Sequence, residues 1–253
     1  MTMPEIGISR SGASVRIHIG RPAKRNALTS AMYAAMADAI AEAEADPDIC
    51  AVIISGEGTT FCAGNDLADF VSNRPEGTDT PVGRFLRAIA TTPLMLIAAV
   101  QGRAIGIGTT MLLHCDFVFA EADTLLQMPF VDLALVPEAA SSLLVPRLVG
   151  HLRAAEFLLL GEPIDADRAA ALGFVTRVVG QGHALAEAEA TAARLAAKPA
   201  SALRHTKRLL KSSSQEVTTR MEEENHAFAA QLRTPELAAT VARFFASRKG
   251  AAA

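Results

Sequence analysis

The alternation and period of apolar residues divide the chain into β-prone runs separated by helices. Residues 13–19, ASVRIHI, partly alternate apolar and polar side chains, which predicts a strand. RPAKRNALTS then supplies a turn and a helix start, where Thr29 or Ser30 can cap the first free amides. Met32, Met36, Ile40 and Ala43 follow near one helical face, and that helix is expected to end around residues 46–48. CAVIISG, from Cys50, is a compact apolar run and predicts a buried strand. VSNRPEGTDTPVG, residues 71–83, is rich in turn formers and predicts a surface loop. RFLRAIATT predicts a helix, MLIAAVQG a second buried strand, and CDFVFAEAD and TLLQMPF two short ones. Apolar runs interleaved with helices point to a layered α/β core.

The pattern changes after about residue 195. KPASALRHTKRLLKSSSQEV and TRMEEENHAFAAQL read as helices, with Val217, Met221, Phe228 and Leu232 forming most of a stripe. Thr234 can cap a last helix that has Pro235 at its first position, and Leu237, Val241 and Phe244 or Phe245 recur on one face. The expected division is a core over 1–195 and a helical region over 196–253, with no tandem repeat.

The 253 residues are half hydrophobic, enough for a large buried core. Basic and acidic side chains number 24 and 27, and no basic face of the kind nucleic acids require is evident. Three cysteines fit a reducing compartment better than a disulfide scaffold. The histidines are scattered, and neither CxxC nor HExxH occurs, so no metal is expected. The N-terminal stretch lacks the long apolar core of a secretion signal, and LMLIAAV at 94–100 is too short to cross a bilayer. The expectation is a cytoplasmic protein without membrane insertion.

Two glycine-containing turns follow buried strands: FCAGND at 61–66 and QGRAIGIG at 101–108. Gly102, Gly106 and Gly108 allow close approach or unusual dihedrals. The following TTMLLHCD can start a helix whose free amides would favour an anion near residues 106–108. Neither turn is a P-loop, and GRAIGIG does not match GxGxxG. Each turn alone can be purely structural. If the two meet, their amides could stabilise one oxygen, as on a thioester enolate.

FCAGNDL, QGRAIGIG and MPFVDLALVPEAASSLLVPRLVG together resemble the enoyl-CoA hydratase/isomerase, or crotonase, family, and the likeness runs from RPAKRNAL to the helical tail. It implies a spiral of repeated ββα units. It also implies C-terminal helices that cover the site and pack between subunits, in a homotrimer or a dimer of trimers. The oxyanion-hole amides would belong to Asn65 and Ile107, and Asp66 would support the turn or helix start. The acyl-CoA substrate would meet Lys24 and Arg25 near its phosphate or adenine groups. Ala63, Gly64, Asp66 and Leu67 would flank the pantetheine–thioester end. Phe130, Leu135 and Leu143 are acyl-pocket candidates, with Phe85 and Met111 as further wall. Phe244, Phe245, Arg248 and Lys249 are candidates for CoA or subunit contacts. His114 and Cys62 are assigned packing and local hydrogen bonding.

The typical hydratase of this family holds water with two glutamates. The matching positions here are Thr110 and Phe130, neither of which can act as a carboxylate. Glu138 is the replacement candidate. By position it could simply favour a helix start beside Pro137. The pattern PFxxLxxxPExxSS, carried by Phe130, Leu133, Pro137, Glu138, Ser141 and Ser142, resembles the Δ3-Δ2-enoyl-CoA isomerase branch, in which this glutamate moves the proton. The implied reaction converts 3-enoyl-CoA to 2-enoyl-CoA with no cofactor, the CoA thioester being the substrate. Enoyl-CoA hydration, another acyl-CoA reaction, and non-catalytic acyl-CoA binding remain the alternatives.

Overall fold

The computed structural model describes residues 5–72, 80–211 and 214–250. Strands β1 (Ile6–Ser11) and β2 (Ser14–Ile19) form an antiparallel hairpin in which Ile6 pairs with Ile19. Helix α1 (Ser30–Ala45) starts where Thr29 Oγ1 accepts the Met32 amide, and it buries Met32, Met36, Ile40 and Ala43 as the stripe predicts. Strand β3 (Ala51–Gly56) pairs in parallel with β2. Its continuous apolar run is explained by burial on both faces: Val52 and Ile54 point into one core cluster, Ala51 and Ile53 into another.

Of the loop expected over 71–83, residues 73–79 lie outside the described set, and both ends are helical. Its first two residues close helix α2 (Leu67–Ser72), and Pro81 opens α3 (Pro81–Thr91). Thr80 Oγ1 accepts the Gly83 amide at 3.0 Å, so Thr-Pro is a helix start that reads as loop composition.

Strand β4 (Met95–Val100) extends the large sheet, and β5 (Arg103–Ile105) leaves it for a smaller one. Helix α4 (Ile107–Thr110) and a 3-10 turn lead to β6 (Phe117–Glu121), again in the large sheet, followed by β7 (Leu125–Gln127) in the small one. Helices α5 (Ser141–Val149) and α6 (His151–Ala155), strand β8 (Ile164–Asp165), helix α7 (Ala166–Ala171), strand β9 (Arg177–Val179) and helix α8 (Ala184–Ala196) complete the layers. The large sheet runs β1-β2-β3-β4-β6-β9 and the small one β5-β7-β8. From β2 onward the large-sheet neighbours are parallel, so the turns after β3 and β4 lie at the same end. Helix α8 packs across β3, β4 and β6 on the face away from α1.

Three helices follow: α9 (Ala200–Leu210), α10 (Ser214–Gln231) and α11 (Pro235–Gly250). Lys207 on α9 is buried; its ammonium meets the Asp116 carboxylate at 2.7 Å and donates to the Leu94 carbonyl. Val217, Met221 and Phe228 are buried along α10, and Leu232 just past its end. Thr234 Oγ1 accepts the Leu237 amide at 3.3 Å, capping α11 behind Pro235. The side chains of Phe244, Phe245, Arg248 and Lys249 lie outside the described set. No described helix is long and apolar enough to cross a membrane.

Candidate active site

The two glycine turns meet. Cys62 N donates to Arg103 O at 3.1 Å, and Ile105 N returns to Cys62 O at 2.9 Å. Close contact is built into the composition. A Cβ on Gly108 would stand 2.5 Å from Cys62 O, and Gly64, at φ +94°, sits where other residues are strained.

This contact sets two amide directions. Leu28 N bonds Gly64 O, and Asp66 N bonds Leu28 O, both on one side of the segment. Strand alternation turns the intervening Asn65 N–H to the other side. Ile107 opens α4, where Gly106 O already accepts Thr109 N and Thr110 N, so the Ile107 N–H has no acceptor within its helix. Asn65 and Ile107 line the same cavity, of ≈ 800 Å³.

Lys24, Arg25, Ala63, Gly64, Asp66, Leu67, Phe130, Leu135 and Glu138 also line that cavity. Lys24 and Arg25 are exposed there, on a turn pinned by buried Asn26, whose amide donates to the Glu57 and Thr60 carbonyls. Asp66 is occupied: it accepts from Arg21 at 2.7 Å and from the Ala68 and Asp69 amides at the start of α2. Partial burial disfavours its charge, but the Arg21 bond and the helix amides outweigh this and hold its pKa below the ordinary value. The third carboxylate on the wall, Asp69, accepts from Ser30 N and Oγ.

Three acyl-pocket expectations are corrected. Leu143 lies on α5, half-buried against the core, and is absent from the cavity wall. Phe85 is fully buried with its ring 5.5 Å from that of Tyr33, and Met111 is core as well. Their positions on apolar helix faces made cleft and core indistinguishable. The apolar wall instead adds Leu133 and Phe228 to Phe130 and Leu135. Phe228 belongs to the predicted α10 stripe, which therefore packs partly onto core and partly onto open cleft.

Glu138 is the unusual group. It is 5 % exposed, and Oε1 has no hydrogen-bond partner among the described residues. Burial, then the nearby Glu224 charge, push its pKa up to about 8, while the Asn65 side chain favours the ionised form. Asn65 is itself oriented by the Tyr33 hydroxyl, which donates to its Oδ1. The helix-start reading of Glu138 fails: α5 begins only at Ser141, after Ala139 and Ala140 at φ +59° and +56°. The Glu138 carbonyl accepts Ser141 N and Oγ, leaving the side chain to the cleft. His114 and Cys62 are buried; His114 Nε2 bonds the Ala139 carbonyl, and Cys62 is part of the core. A buried carboxyl lining the same cavity as the Asn65 and Ile107 amides can move a proton beside a stabilised oxyanion.

Residues 10–250 match the sequence model of a family described as Enoyl-CoA hydratase/isomerase. The chain belongs to the enoyl-CoA hydratase/isomerase family. OdaA of Pseudomonas aeruginosa superposes with a TM-score of 0.93 at 40% identity, over 96% of this chain and 99% of that one. The Mycobacterium bovis protein named "Probable enoyl-CoA hydratase echA6" is 33% identical over 81% of this chain and 82% of its own length. Enoyl-CoA delta isomerase 2 of Rattus norvegicus is 31% identical over 86% of this chain and 57% of its own length. The fold is thus crotonase-like, and the protein is an acyl-CoA enzyme of the hydratase/isomerase type.

Proposed function

We propose that the protein isomerises 3-enoyl-CoA to 2-enoyl-CoA. The observation that carries this reading is the state of the three cavity carboxyls. Asp66 and Asp69 are held by fixed donors, whereas Glu138 lines the same cavity with an oxygen that has no partner among the described residues. Adding water by a paired-carboxylate route needs a second acid. At the corresponding positions Phe130 presents a phenyl ring to the cleft, and Thr110 is fully buried away from it.

In the proposed step the thioester oxygen accepts the Asn65 and Ile107 amides. Glu138 takes a proton from C2, and the C–H electrons enter a dienolate spread over the carbonyl and the C3–C4 alkene. The protonated Glu138 then delivers that proton to C4, leaving C2=C3 conjugated with the thioester. The change is redox-neutral and returns every group to its starting state. A carboxyl with a pKa near neutrality suits both halves of the transfer. Lys24 and Arg25 are assigned to the CoA end, and Phe130, Leu133, Leu135 and Phe228 to the acyl chain.

The test supplies 3-enoyl-CoA and 2-enoyl-CoA separately in deuterated water. Double-bond migration should occur with the first and fall by about 10²–10⁴-fold in Glu138→Gln. Hydration of 2-enoyl-CoA that survives Glu138→Gln, without migration, would overturn the reading. The family resemblance further leads us to propose a trimer or a dimer of trimers.

A further inference from the structure

The loop bearing Glu138 is held from outside the cleft. Glu224, on α10, is 6 % exposed, and both its oxygens accept backbone amides: Oε2 from Ala140, at the end of the loop, at 2.6 Å and Oε1 from Ser142, in the first turn of α5, at 2.9 Å. Two acceptor oxygens are the pattern of an ionised carboxylate. On the other side of the loop, His114 Nε2 lies 2.8 Å from the Ala139 carbonyl. Burial, then Lys211, lower the His114 pKa to about 4, so the neutral ring donates its one N–H there. Between these holds, Ala139 and Ala140 occupy the left-handed region, which alanine disfavours. The loop would not keep this shape unaided.

We propose that Glu224 is a positioning residue: by holding the Ala140 and Ser142 amides it fixes the strained loop that aims Glu138 into the cleft. This rests on the reading of Glu138 as proton carrier. Phe228, one turn further along α10, lines the cleft, so the same helix supplies both clamp and wall. Several ionisable groups bear on the pair. Tyr33 comes from α1, Cys62 from the first glycine turn and Glu224 from α10 toward Glu138. Burial raises the Glu224 pKa, against the Ser142 and Ala140 hydrogen bonds and Arg220, which also pairs with Glu223. Burial and then the Glu224 charge both raise the Glu138 pKa, so removing that charge lowers it.

The test uses full-length protein and follows the Glu138 carboxyl by ¹³C NMR, assigned by its loss in Glu138→Gln, beside kcat and KM for 3-enoyl-CoA across pH. In Glu224→Gln the Glu138 midpoint should fall by roughly one unit. Its kcat should fall on the order of 10²-fold with a much smaller change in KM. Glu224→Asp keeps the charge and should restore most of the midpoint and part of kcat. A folded Glu224→Gln protein with the parent's midpoint and kcat overturns the clamp. Should that variant not fold, amide exchange in the parent decides: slow exchange at Ala140 and Ser142 supports the clamp, and rates of an exposed loop overturn it. If Glu138→Gln retains full isomerisation, the proton-carrier reading fails, while the midpoint shift still measures the clamp.

Discussion

Glu138 sits where folding alone would not put a carboxylate. Its folded pKa, about 8, lies above the ordinary 4.5. A group raised in this way contributes its full stability below about 4.5 and loses it as pH rises through about 8. Ionising it inside the fold therefore opposes stability by an amount on the order of a few kcal/mol. Glu138→Gln cannot ionise. It should melt above the parent at about pH 9 and lose that advantage near pH 4.5, which calorimetric scans at both pH values would check. A Tm difference independent of pH would contradict the buried charge. The same group should shape turnover: kcat/KM for 3-enoyl-CoA is expected to rise with pH through about 8 and then level off. A flat profile across that range would remove Glu138 as the base.

At the scale of elements, the two turns work only in contact. Gly108→Ala places a methyl group 2.5 Å from Cys62 O, against backbone that has little room to move. The substitution should cost roughly 1–3 kcal/mol and lower kcat by parting the two amides, as thermal melts and steady-state rates would show. An unchanged Tm and kcat would mean the turns tolerate separation. Much of this level was legible in the sequence. β2 shows alternation, β3 and β4 show runs long enough to mark strands, and α1 shows both its cap and its stripe. β5, β8 and β9 have two or three residues each, too few for any period to register. α8 is alanine-rich, and alanine gives little contrast between faces. The glycine turns and Glu138 were readable as motifs, yet their meeting depends on long-range pairing that no local pattern encodes. Glu224 did leave a trace: it falls at helical spacing within the stripe of Val217, Met221 and Phe228, a charge where the pattern wants an apolar side chain.

At the scale of the whole molecule, several leucines face solvent in this single chain. Leu152 is 84 % exposed, and Leu159, Leu160, Leu209 and Leu210 are exposed as well. Our proposal of a trimer or a dimer of trimers gives such side chains a place to be covered. Sedimentation at micromolar concentration should then return three or six times the 26.6 kDa chain mass. A mass of one chain would exclude both assemblies. The tail is also tied to the sheet inside each chain, since Lys207 spans from α9 to the Leu94 carbonyl and to Asp116, which precede β4 and β6. Stripping that ammonium of its partners would leave charge stranded in the interior. Helix α9 therefore cannot peel away cheaply while the strands stay intact. Heat should dissolve both in one step, with van't Hoff and calorimetric enthalpies that agree for the unit that melts.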